Sequence, residues 1–172
     1  MAKMRLAVGS VDVVIREENV GSASNRICYP GISSCVTVTG VGPSGMVGCH
    51  ITFATEPDLV SQMFQAMRTG GGTSCVHFYV IGKIADFKRS RTYSSFNTRK
   101  KMGQAIKDVI CETAVVRFCD SEAYGKDIHI MVQKNLMNAD FSWVATAGNV
   151  VAGDLYPAFA GAAISPNDFV AR

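Results

Sequence analysis

The chain has 172 residues, 48% of them hydrophobic and 18% charged, with a formal charge of +3. That length suits one domain with a real core, spanning residues 1–172, and the balance of apolar and charged residues is ordinary for a globular protein. No stretch approaches the roughly 18 apolar residues of a membrane span, and the modest charge names no partner by itself. The opening Met1-Ala2-Lys3-Met4-Arg5 leads into Leu6-Ala7-Val8, and Asp12 soon interrupts. This apolar region is too short for a signal peptide, so a cytoplasmic protein, or an effector secreted without a classical signal, is expected, with no membrane insertion.

Leu6 to Arg16 predicts one or two strands, with Val11, Val13 and Ile15 alternating against Asp12 and Arg16. Glu17 to Arg26 is polar and reads as a loop, and Ile27-Cys28-Tyr29 as a short strand ahead of the turn dipeptide Pro30-Gly31. Two central strands follow, Cys35 to Thr39 and Val47 to Ala54, joined through Gly40 to Gly45. Thr55-Glu56-Pro57-Asp58 predicts a helix start with Thr55 as cap, and Leu59, Val60, Met63, Phe64 and Met67 share one helical face before Gly70-Gly71-Gly72 stops it. The triple glycine lacks the Lys-Ser/Thr of a phosphate loop.

Cys75 to Ile84 is nearly continuous in apolar residues and predicts a strand buried on both faces, with His77 as a core histidine. Lys88, Arg89, Arg91, Arg99, Lys100 and Lys101 form a basic stretch without an acid. Asn97 or Ser95 is expected to cap a second helix that buries Met102, Ile106, Val109 and Ile110. Lysine and arginine in its first turn oppose the helix dipole, which points to an acidic or polar partner or to a merely solvated basic loop. Strands are predicted over Glu112–Phe118, Asp127–Gln133, Phe141–Ala147 and Val150–Tyr156, with a turn at Cys119–Lys126, His129 on the exposed face, and a weakly patterned tail over 157–172. Strands, helix, strand, helix and strands again make an α+β class: a mixed, mostly antiparallel sandwich or sheet with two packed helices.

Of the six cysteines, none has Cys-x-x-Cys spacing, so buried free thiols in a reducing compartment are expected for all but Cys35. Cys35 enters a strand behind the turn Gly31-Ile32-Ser33-Ser34, and His50 lies in the next strand. Antiparallel neighbours would bring them together. A thiol beside an imidazole is the minimum equipment for a cysteine nucleophile with its own base, ordinarily as a thiolate–imidazolium pair. Successive backbone N–H groups at Ser34 and Cys35 would hold an oxyanion.

Gly31-Ile32-Ser33-Ser34-Cys35-Val36 resembles the Gly-Leu-Gly-Ser-Cys-Val motif of the chemoreceptor glutamine deamidases (CheD), and Gly48-Cys49-His50 resembles their glycine-to-histidine step. The serine–cysteine turn is also similar to that of deamidating toxins: the cytotoxic necrotizing factor catalytic domain and the lethal factor that deamidates a translation initiation factor. Val8-Gly9-Ser10-Val11-Asp12 looks like the family's opening strand, and Asn97-Thr98-Arg99 its second-helix start. Ser33 stands at a family glycine, Tyr29 at the threonine that orients the histidine, and the glycine-rich turn between the last paired strands is reduced to Ala123-Tyr124-Gly125-Lys126.

The resemblance implies a CheD-like fold and a protein-glutamine glutaminase, an amidohydrolase with Cys35 as nucleophile, His50 as acid and base, and the Tyr29 carbonyl as a possible orienting acceptor. It implies Ser34 and Cys35 as oxyanion donors, Ser33 and Arg99 as substrate contacts, no metal or cofactor, and a protein presenting a glutamine as substrate, in chemotaxis or as a host-directed toxin. Alternative readings are transglutaminase or protease chemistry at the same pair, a CheD-like binding module with a degenerate pair, and a nucleic-acid binder using residues 88–101 with Tyr93 and Phe96 interleaved. The low net charge and the lack of a recognised motif weigh against the last.

Overall fold

Alternating apolar residues and two amphipathic helical segments assemble, in a computed structural model, into an α+β fold dominated by one curled sheet. The structure describes residues 6–89, 96–147 and 161–171. Its strands are β1 (Leu6–Val14), β2 (Val20–Ile32), β3 (Cys35–Gly42), β4 (Gly45–Thr52), β5 (His77–Gly82), β6 (Val115–Asp120), β7 (Ile128–Asn135), β8 (Asn138–Ala145), β9 (Ala162–Ala163) and β10 (Val170–Ala171). Three helices accompany them: α1 (Pro57–Thr69), α2 (Ile84–Phe87) and α3 (Arg99–Val109). The strand order is β10-β6-β5-β3-β4-β2-β7-β8-β9, with β1 beside β2. All pairs are antiparallel except β1–β2 and β5–β6. The β5–β6 crossover carries α2 and α3, the connection that a parallel pair requires.

The sheet buries both faces. On one, Val36 and Val38 of β3, Cys49 and Ile51 of β4, and Phe78 and Val80 of β5 pack against Met63, Phe64 and Met67 of α1 and Met102 and Ile106 of α3. On the other, Tyr29, Cys35, Tyr79 and Ile81 pack with Ile128, Ile130 and Val132 of β7 and Phe141 of β8, where the sheet curls over itself. Full burial of each such large side chain contributes about 1.5–3 kcal/mol. The candidate site lies on this second face, away from the long helices.

Several local expectations give way to tertiary pairing. The polar stretch after Glu17 is a turn only as far as Asn19; from Val20 it is β2, because Val20 to Ala23 pair with Cys49 to Met46 of β4. Polarity hides a strand whose backbone partner lies far along the chain. The helices number three among the described residues rather than two, since Ile84 and Phe87 bury a one-turn helix directly after β5. Glu56, not Thr55, is the cap residue of α1; the Thr55 hydroxyl is occupied with Thr52, accepting from its backbone N–H at 2.9 Å. Thr98, not Asn97, caps α3, its hydroxyl accepting from the Lys101 amide at 3.2 Å; Ser95 lies outside the described residues. His77 is half-buried at the start of β5 and receives Arg117 at 2.9 Å.

His129 is buried rather than exposed: its Nδ1 accepts a hydrogen bond from the Gly31 amide at 3.0 Å. The strand expected over Val150–Tyr156 lies outside the described residues. The described part of the tail supplies β9 and β10, short strands that pair with β8 and β6. All six cysteines are free, and among the described residues no helix is long and apolar enough to cross a membrane.

The β1–β2 pair also carries an ion pair. Arg26 donates to both carboxylate oxygens of Asp12, at 2.6 and 3.0 Å, and Asn25 adds a third bond at 3.1 Å. Arg26 holds the Asp12 carboxyl below its ordinary value of 3.8. A carboxylate with a depressed folded pKa stabilises the fold above the unfolded pKa, and that stability is lost as pH falls through the folded value. At pH 7, Asp12→Asn is therefore expected to cost about 0.2–1 kcal/mol, the range of solvent-accessible pairs. Thermal melts of both proteins down a pH series should show the gap closing as acid is taken below 3.8; a gap unchanged by acid would refute the assignment.

Candidate active site

The β3–β4 hairpin turns at Pro43–Ser44, with Gly42 opposite Gly45. The register then runs Cys35 to Thr52 and Thr37 to His50. Cys35 and His50 are thus diagonal neighbours on one face, because alternate residues of a strand share a face and opposed residues point the same way. Both are buried, Cys35 at 1% exposure and His50 at 0%.

Two further elements complete the site. After β1 the chain turns through Arg16–Asn19, with Glu18 at φ 60°, and this turn lies along β4: the Glu18 amide donates to the His50 carbonyl at 2.8 Å and the His50 amide to the Asn19 carbonyl at 3.2 Å. The turn delivers two groups. The Ile15 carbonyl faces His50 Nδ1 at 3.1 Å, and the Glu17 carboxylate receives the Cys35 thiol at 3.7 Å. A ring nitrogen of His50, Cys35 Sγ and a Glu17 oxygen all lie within 4.8 Å of one another. Nδ1 is engaged with Ile15, and Nε2 is buried with no hydrogen-bond partner.

The orienting acceptor is therefore Ile15 and not the Tyr29 carbonyl. Tyr29 meets His50 with its ring, edge to face, at a centroid distance of 6.1 Å, while its backbone pairs with Ile130 of β7. Its hydroxyl reaches past His50 to Thr39 Oγ1 at 2.7 Å. Gly48 makes that reach possible: a Cβ there would lie 1.9 Å from the Tyr29 hydroxyl.

The turn expected at Pro30-Gly31 falls instead at Ser33–Ser34, because β2 continues to Ile32; Gly31 within β2 adopts φ 69°, and its carbonyl accepts from the Ser33 amide at 3.1 Å. The Ser34 and Ser33 backbone favours the charged form of Cys35, while the Ser33 amide itself donates to the Gly31 carbonyl. Cys35 itself lies in the ladder opposite Thr52. Ser33, Ser34 and Glu17 are the exposed residues around the sulfur. Arg99 opens α3, where its charge acts on Cys119 rather than on Cys35. Of the other basic residues, Lys88, Arg89, Lys100 and Lys101 are exposed, and Arg91 and Tyr93 lie outside the described residues.

Burial, and then the Glu17 charge, push the Cys35 thiol up to about 11, against the pull of the Ser34 and Ser33 amides. Burial pushes His50 down to about 4, opposed by its bond to Ile15. The resting pair is thus a neutral thiol beside a neutral imidazole, not the thiolate–imidazolium pair expected of an activated cysteine, because desolvation penalises both charges. Glu17 and Ile15 carried no signal in the sequence: one stands in a polar stretch, and the other acts through its backbone.

In comparisons with known proteins, no family model and no curated protein sequence matched the chain significantly.

Proposed function

We propose that the chain is a protein-glutamine deamidase of CheD-like chemistry. One observation carries this reading: Cys35 and His50 sit diagonally on one face with Nδ1 tied to a backbone carbonyl, which leaves Nε2 without a partner on the face that carries the sulfur. The resemblance around Gly31–Val36 and Gly48–His50 supports the choice of substrate.

In this mechanism a glutamine side chain enters past Glu17, Ser33 and Ser34. His50 Nε2 takes the thiol proton as Sγ attacks the carboxamide carbon, so charge separates only when the reaction needs it. The Ser34 and Cys35 amides then receive the oxyanion. The imidazolium returns its proton to the departing nitrogen, and ammonia leaves a thioester. His50 next takes a proton from water, whose oxygen attacks the thioester; the proton goes back to sulfur and the product is glutamate. No cofactor enters these steps. The substrate is a protein, either a chemoreceptor or a host protein, that meets the exposed surface at Glu17, Ser33 and Ser34.

The burial of both residues favours a second reading, a CheD-like binding module with an inert pair. One experiment separates them. Wild type and Cys35→Ala are incubated with lysate proteins, and ammonia release and the glutamine-to-glutamate mass gain of about 1 Da are followed. A gain present with wild type and absent with Cys35→Ala supports the deamidase. No gain with any substrate leaves the binding module.

A further inference from the structure

Glu17, Cys35 and His50 offer a carboxylate oxygen, a sulfur and an imidazole nitrogen within 4.8 Å of one another. We propose that these three side chains form a Zn²⁺-binding site, and that the ion, by occupying Cys35 Sγ and His50 Nε2 together, reversibly shuts off the nucleophile. The inhibitory half deepens the deamidase reading and rests on it; the binding half does not.

Zinc takes sulfur at about 2.3 Å, imidazole nitrogen at about 2.0–2.1 Å and carboxylate oxygen at about 2.0–2.2 Å, usually in a tetrahedron. Two such ligand atoms on one tetrahedral ion lie about 3.3–3.7 Å apart. The observed separation of Cys35 Sγ from Glu17 Oε1 is 3.7 Å. The remaining separations in the cluster are at most 4.8 Å, so binding an ion requires the side chains to draw together by about 1 Å.

The second observation is His50 itself. A zinc-bound histidine almost always gives its other ring nitrogen to a carbonyl or carboxylate, which sets the tautomer and aims the lone pair. Here Ile15 does this at Nδ1, and Nε2 is fully buried with no other partner. One sulfur, one nitrogen and one oxygen is a donor set that suits zinc over calcium or magnesium, and the fourth position is left for water. On binding, the Cys35 S–H bond breaks, its proton passes to buffer and the Zn–S bond forms, with no change of oxidation state. The lone pair that would accept the thiol proton in catalysis then holds the metal, so metal and turnover exclude each other.

The test uses the full chain freed of metal, titrated with Zn²⁺ by calorimetry and with Co²⁺ by absorption. The expected result is one ion per chain, a thiolate-to-cobalt charge-transfer band lost in Cys35→Ser, and affinity at least about tenfold weaker in Glu17→Gln. Glu17 is exposed on a turn, so that variant keeps the test open if Cys35→Ser fails to fold. A band that persists unchanged in Cys35→Ser, or a Glu17→Gln affinity equal to wild type, would place the ion on other cysteines and overturn the site. Deamidation measured in parallel separates the two readings. Metal-free protein that deamidates and keeps its rate under saturating Zn²⁺ overturns the inhibitory role alone. Binding at the three residues without deamidation in metal-free protein upholds the site and removes the deamidase.

Discussion

His50→Ala is expected to lower deamidation turnover by about 10²–10⁴-fold, the usual contribution of one positioned acid–base group. In the proposed mechanism the loss falls mainly on kcat, because the imidazole moves protons at the reacting atoms. The effect falls toward the upper end of that range, because the thiol resists ionisation on its own. Burial and Glu17 hold Cys35 up at about 11, so little thiolate forms without a partner to take the proton. Both halves of the cycle need that transfer, and any thioester that does form should persist longer than in wild type. Single-turnover mass spectrometry on Cys35 measures this directly. Since His50 is fully buried, the variant's fold has to be checked by circular dichroism first. A folded His50→Ala protein within tenfold of wild-type turnover would remove His50 from the mechanism.

Gly82→Ala is expected to destabilise the protein by at least about 4 kcal/mol, a large part of a typical folding margin of about 5–15 kcal/mol. Gly82 ends β5 at φ 155°, opposite Val36. A Cβ at this position would stand 2.1 Å from the Cys35 carbonyl oxygen and 2.6 Å from the Val36 Cα. Both are backbone atoms, so no rotamer change relieves the contact. The Cys35 carbonyl is also engaged, accepting from the Lys83 amide at 2.9 Å. Relief therefore means parting β3 from β5 at the cysteine. For a chain of this size the melting temperature should fall by roughly 8–16 °C. Thermal unfolding of wild type and variant measures it, and a fall of only a degree or two would show that the strands separate there at little cost.

The helices and the central hairpin were legible because their signals are local. Val60, Met63, Phe64 and Met67 recur at helical spacing and are all buried against the sheet. Met102 and Ile106 do the same in α3. The loop expected over Glu17–Arg26 was misread because Val20–Ala23 gain their strand partners from residues 46 to 49, a pairing that polarity does not encode. His129 was misread because strict alternation assumes one wet face. The curl of β7 and β8 leaves Met131 and His129 buried as well.

The α+β class and the mostly antiparallel sheet follow from the order of strand and helix patterns along the chain. Residue spacing also places Cys35 near His50, because a short hairpin connection leaves few registers and alternation then decides the shared face. The surroundings of the pair come from long-range packing. Ile15, not Tyr29, holds the imidazole, and Glu17 stands at the thiol, because the turn after β1 packs along β4 through backbone hydrogen bonds at Glu18 and Asn19. Those contacts are made by main-chain atoms common to every residue, so residue identity does not announce them. Burial decided the charge state in the same way: it depends on how completely the curled sheet excludes water from Cys35 and His50, which is a property of the assembled fold.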